Sequence, residues 1–192
     1  MHLRYTPENY FYRYFKVHQE KTPTMPTLHW LTRETDLKAS GLAPYRLLDH
    51  VKTYGDAHTE NMLIQGDNLD ALKALLPYYA GKVKCIYIDP PYNTKSAFEH
   101  YDDNMEHTKW LSMMYPRMEL LRELLSKDGS IWVRLYDNVV DYFKVICDEA
   151  FGRNNFVKKV IGKKNFSPKT SAKYFSEDHD YLILYANTKE SF

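Results

Sequence analysis

Asp89, Pro90, Pro91 and Tyr92 follow directly on the apolar run Val83, Lys84, Cys85, Ile86, Tyr87, Ile88. The β-branched run predicts a buried strand, and two prolines cannot continue a hydrogen-bonded ladder, so the acid falls at the strand's carboxyl end. In open α/β sheets that edge holds the ligand. These residue types suit chemistry on an exocyclic amine of a nucleic-acid base. Such an amine is a poor nucleophile because its lone pair is delocalised into the ring, and hydrogen-bond acceptors can localise the pair. The Asp89 carboxylate and the Pro90 carbonyl, fixed by the rigid double-proline turn, can each accept one amine hydrogen. Tyr92 can then stack on the base. A base inside a duplex is out of reach and must be flipped, at roughly a few kcal/mol. Aromatic stacking, roughly 1 to 3 kcal/mol per base, offsets much of that. An isolated Asp-Pro pair usually marks only a turn, but the strand before it, the aromatic after it and the polar Asn93-Thr94-Lys95 fit a site.

The elements around this tetrapeptide alternate between strand and helix. A short strand from Met62 to Gln65 ends at Gly66, and Asp67 or Asn68 can cap a helix carrying Leu69, Leu72, Leu75 and Leu76. After the Asp89 strand comes a polar loop, residues 93 to 106, long enough to be functional. Trp110, Met114, Met118, Leu121 and Leu125 then mark one apolar helix face, with Pro116 expected to kink or split the helix. Gly129 turns the chain into a strand over 130 to 136. Asp137 can cap a helix burying Val140, Phe143, Cys147 and Phe151, and a last strand covers Tyr181 to Ala186. Alternation of this kind predicts an α/β fold with right-handed crossovers and a mostly parallel sheet. Residues 1 to 60, with Pro7, Pro23, Pro26 and Pro44, read as an irregular arm, and 61 to 192 as a partial catalytic domain that includes a basic segment over 152 to 176.

With 192 residues, 44% of them apolar, the chain can bury one core of ordinary size. Its net charge of +1 gives no global sign of a polyanionic partner. Locally the picture differs. From Gly152 to Ser176 there are seven cations, Arg153, Lys158, Lys159, Lys163, Lys164, Lys169 and Lys173, and no acid. Interleaved with Phe156, Phe166, Tyr174 and Phe175, they suit phosphate contacts beside a stacking surface, although a solvated face has the same composition. Cys85 and Cys147 read as small buried apolar residues, not a bridge or metal pair, which suits a cytoplasmic protein. No His or Cys spacing suggests a metal. His179, before the last strand, reads as a loop or capping histidine. No apolar stretch reaches membrane-spanning length and the opening lacks a signal-peptide core.

Four stretches resemble the amino-group DNA methyltransferases, specifically the modification subunit of type III restriction-modification systems. They are Asn61 to Leu72, Ile86 to Thr94, Trp110 to Arg117 and His179 to Ala186, within a similarity running from about residue 24 to the end. The resemblance implies a Rossmann-like S-adenosylmethionine-dependent methyltransferase fold. It implies that Asp89, Pro90, Pro91 and Tyr92 hold a flipped adenine for N6 methylation, and that Asp67, with Asp89, lies near S-adenosylmethionine. Asp67 as a plain helix cap remains an equal and compatible reading. Cytosine N4 methylation is the nearest alternative, and Asp before Pro-Pro-Tyr resembles the adenine enzymes. The implied partners are double-stranded DNA and a restriction nuclease subunit, with a second copy or a missing carboxyl-terminal half as the completing piece.

Departures from the family pattern qualify the resemblance. The family's Phe-x-Gly-x-Gly cofactor loop has no counterpart, because all seven glycines stand apart. The family pattern would also continue past Phe192 into target recognition, so the expectation is an amino-terminal half, truncated or one piece of a split enzyme, with a non-catalytic DNA-binding fragment as the rival. In Arg134-Leu135-Tyr136-Asp137-Asn138-Val139 the family usually has a more acidic strand end; Asp137 and Asn138 persist.

Overall fold

A computed structural model describes residues 25–56, 58–91, 103–164 and 179–192. Four strands, β1 (Val83–Ile88), β2 (Leu125–Leu135), β3 (Phe156–Lys163) and β4 (His179–Ala186), form one sheet in the order β1-β2-β4-β3. β1 runs parallel to β2, whereas β4 is antiparallel to both β2 and β3. The fold is α/β, but the sheet is mixed and not mostly parallel. The reason is topological: β4 enters the gap between β2 and β3 and runs against both, which no local pattern announces.

Helices α1 (Arg33–Leu42), α3 (Asp103–Leu124) and α4 (Asp137–Cys147) flank the sheet. Alternation of side chains sends Ile86, Ile131, Val133, Ile183 and Tyr185 to one face. There they meet Trp110, Met114 and Met118 of α3 and Val140, Phe143 and Cys147 of α4 in a single apolar cluster. Helix α2 (Asn68–Tyr79) packs through Leu76 on Leu120 and Leu124. Asp67 is its N-cap, accepting from the Leu69 amide at 2.8 Å, a contact worth about 1 kcal/mol.

Several expectations are corrected. Met62 to Gln65 is not a strand, because none of the described strands runs beside it to complete a ladder; Leu63 is 94% exposed. Within the stretch read as an irregular arm, α1 is helical, docked by an ion pair from Arg33 to Glu149 at 2.5 Å. Pro116 does not split α3. It removes only the one backbone bond to the Ser112 carbonyl, and the helix continues unbroken to Leu124; the Arg117 side chain adds a bond to the Met113 carbonyl at 2.7 Å. Cys147 is buried as expected, but Cys85 points to the opposite sheet face and is exposed. Asp137 is the first residue of α4 and not its cap, its carboxylate being taken by the Tyr181 hydroxyl at 3.0 Å.

β2 also starts earlier than Ser130. Between the pairs Val83–Leu125 and Cys85–Ser130 its register shifts, so the strand bulges around Gly129. A Cβ at Gly129 would lie 2.7 Å from the Val83 carbonyl oxygen. Glycine is required by that close approach.

Candidate active site at the carboxyl edge of the sheet

β1 and β2 end at one edge of the sheet, and antiparallel pairing brings the start of β4 and the end of β3 to the same edge. The chain returning from α2 to β1 places the start of that helix there as well. Asp67, Asp89, Arg134, Tyr136, Lys164 and Asp180 therefore lie along one rim although they are scattered through the sequence.

Asp89 follows β1 directly, with Pro90 buried and Pro91 exposed. The Trp110 indole, 3% exposed in the core, donates through Nε1 to the Pro91 carbonyl at 2.8 Å. That bond ties the double-proline turn to α3. On the other side Arg134 Nη1 lies 3.5 Å from Asp89 Oδ2. Arg134 also donates to Asp180 Oδ2 from Nε at 3.1 Å and from Nη2 at 2.5 Å. Lys164 Nζ lies 3.5 Å from the other Asp180 oxygen and donates to the Tyr136 hydroxyl at 2.5 Å. The hydrogen bond to Tyr136 raises the Lys164 ammonium above its ordinary range. Tyr181 is raised likewise by its bond to Asp137, and His179 meets the same hydroxyl at 3.0 Å. The rim is thus a belt of paired charges.

Asp67 lies on the same rim, its side chain 63% exposed, with Arg117 Nη2 at 3.5 Å. Arg117 also donates to Asn68 Oδ1 at 2.5 Å. Burial lowers the Arg117 guanidinium from its ordinary value and Asp67 opposes that shift.

Of the basic segment, Lys158, Lys159 and Lys163 stand on β3 and Lys164 just beyond it. Lys159 pairs with Asp141 at 3.2 Å. Tyr92, Lys169 and Lys173 lie outside the described residues. Sequence reasoning missed β3 as a strand and missed Arg134 and Asp180 as parts of the site. A charged residue interrupting the apolar strand Ile131 to Leu135 was the available signal for Arg134. Trp110 was read only as core.

Residues 83–192 match the family described as DNA methylase. The chain belongs to that family. Among curated relatives of this DNA methylase are the EcoPI Mod subunit of a type III restriction-modification enzyme from Escherichia phage P1 and the EcoP15I Mod subunit from Escherichia coli. The first is 34% identical over 198 residues, 85% of this chain and 31% of that protein. The second is 32% identical over 198 residues, 85% of this chain and 30% of that protein. The DNA methylase chain therefore spans about a third of the length of the curated relatives it matches. Among solved structures, the cytosine-N4-specific PvuII DNA methyltransferase aligns with 62% of this chain and 47% of its own at 14% identity and a TM-score of 0.44. That likeness is too low to bear on the assignment, which rests on the family match.

Proposed function

We propose that this chain carries the base-gripping part of an enzyme that transfers a methyl group from S-adenosylmethionine to adenine N6 of a flipped base in double-stranded DNA, within a restriction-modification system that pairs it with a nuclease. The observation that carries the proposal is the position of Asp89 and its two prolines, at the carboxyl edge of the sheet and tied to Trp110, in a member of the DNA methylase family.

S-adenosylmethionine supplies an electrophilic methyl carbon. Its ammonium and ribose hydroxyls are hydrogen-bond donors. The partly exposed carboxylates of Asp67 and Asp89 on one rim are acceptors, so the donor set fits. Asp67 can serve while also capping α2.

The chain's own residues act on the base. Asp89 and the Pro90 carbonyl accept the two amine hydrogens, which localises the nitrogen lone pair and directs it toward the methyl carbon. Trp110 takes the carbonyl of Pro91, not that of Pro90, and so fixes the turn without competing for the amine. Tyr92 stacks on the flipped ring. Direct attack requires no covalent enzyme intermediate, so no catalytic cysteine is needed. Lys158, Lys159, Lys163, Lys164, Lys169 and Lys173 contact phosphates. Residues 61 to 192 form the catalytic domain.

The test is to incubate the purified chain with S-adenosylmethionine and unmethylated DNA, digest to nucleosides and analyse by mass spectrometry. N6-methyladenine is expected, and Asp89→Ala is expected to lower its formation by at least ~10²-fold, as for removal of one preorganised electrostatic group. N4-methylcytosine would replace adenine by cytosine as the substrate. DNA binding without either product would favour a binding fragment.

A further inference from the structure

We propose that Arg134 is a positioning residue that aims the Asp89 carboxylate, and that Asp180 is the anchor that holds Arg134. The inference rests on the reading of Asp89 as the group that grips the base.

The sheet register brings the three residues together. β1 and β2 pair in parallel with Ile88 opposite Val133, so the next residues along the strands are Asp89 and Arg134. β2 and β4 pair with Arg134 opposite Leu182, and Asp180, two residues from Leu182, shares its face. Three charges, one just past the end of β1 and one on each of β2 and β4, therefore stand in a line along the rim, acid, base, acid. Lys164 extends the line beyond Asp180.

The two contacts of Arg134 are unequal. To Asp180, whose side chain is 91% buried, it gives two nitrogens at 3.1 and 2.5 Å. To Asp89, 39% exposed, it gives Nη1 at 3.5 Å. Two donors from one edge of the guanidinium converge on the single buried oxygen Asp180 Oδ2 and restrict the rotation of the group. The third nitrogen is then held beside Asp89 and restricts its carboxylate, while the longer separation leaves that carboxylate able to take an amine hydrogen. Arginine can do both because its fork carries five donors in fixed directions. A lysine in its place would keep the charge and lose the bridge.

The test uses the full chain in wild-type form and as Arg134→Gln, Arg134→Lys and Asp180→Asn, with thermal melts to confirm folding. The aspartate side-chain carboxyl carbons are labelled with 13C, and the Asp89 signal is assigned by its loss in Asp89→Asn. Displacement of the Asp89 signal in Arg134→Gln and again in Asp180→Asn is expected, the latter because the anchor acts only through Arg134. An Asp89 signal unmoved in either folded variant overturns the proposal. Should Asp180→Asn not fold, Arg134→Lys decides in its place, with a displaced signal expected. Where the wild type methylates DNA, Arg134→Gln and Arg134→Lys are both expected to lower kcat roughly 10²-fold, as for an ångström-scale misplacement, with the Kd for DNA unchanged. An unchanged kcat overturns the role in the reaction. A wild type that yields no methylated base counts against the proposed function, while the carbon signals still decide whether Arg134 aims Asp89.

Discussion

Glu119 stands half-buried on α3, where the Ser40 hydroxyl donates to Oε2 at 2.5 Å. Burial is the largest influence on it and holds its carboxyl above the ordinary value of 4.5, with Glu123 and Glu149 pushing the same way and the Ser40 bond opposing. An acid raised by folding binds its proton more tightly in the native state. Its contribution to stability is therefore fully present below the unfolded value and is lost as pH rises through the folded value. Glu119→Gln keeps an acceptor for Ser40 and removes the ionisation. The variant is expected to melt at a higher temperature than wild type at about pH 8, with the gain gone by about pH 4; thermal melts at the two pH values check this. Nearby, burial likewise raises the Tyr115 phenol, which stays protonated and donates to Glu149. The same cause raises the Cys147 thiol, so this cysteine serves packing and not chemistry.

Among elements, the bulge in β2 makes the sharpest demand on sequence. Gly129 faces backbone, the Val83 carbonyl, which cannot rotate away as a flexible side chain could. Gly129→Ala is expected to cost about 1 to 3 kcal/mol, read as a lowered melting temperature, because β1 and β2 must separate locally. Helices α2, α3 and α4, strands β1 and β4 and most of β2 were legible from the sequence because each carries a local period: Trp110, Met114 and Met118 for α3, Val140, Phe143 and Cys147 for α4, and the β-branched run of β1; α1 was not, because no such period marks the stretch that holds it. β3 was not, because Lys158 and Lys159 fall side by side where alternation would separate polar from apolar, and Val160 and Ile161 are both exposed. Nor was the antiparallel insertion of β4, since strand adjacency is a property of the assembled sheet. Met62 to Gln65 shows the converse: an apolar run read as a strand stays unpaired because local propensity supplies no partner.

Taken whole, the molecule is nearly neutral, so its attraction for a polyanion depends on where the cations stand. Four lysines, Lys158, Lys159, Lys163 and Lys164, cluster at β3 and its end. Replacing both Lys158 and Lys163 by Ala is expected to reduce the slope of log K against log salt for duplex DNA by about 1.8, at about 0.9 for each phosphate no longer neutralised. Anisotropy titrations across a salt series measure it, and an unchanged slope would place the DNA elsewhere. The tetrapeptide can be proposed as a site from the sequence because its residues are contiguous. The support around it was not, because Trp110, Arg134 and Asp180 reach it only across α3 and neighbouring strands. Trp110 has a consequence of another kind. An indole sealed in the core, yet bonded to the carbonyl of the site's second proline, emits light whose colour and yield follow its immediate surroundings. The chain thus carries an optical gauge beside the place where a base would enter, with no dye to attach.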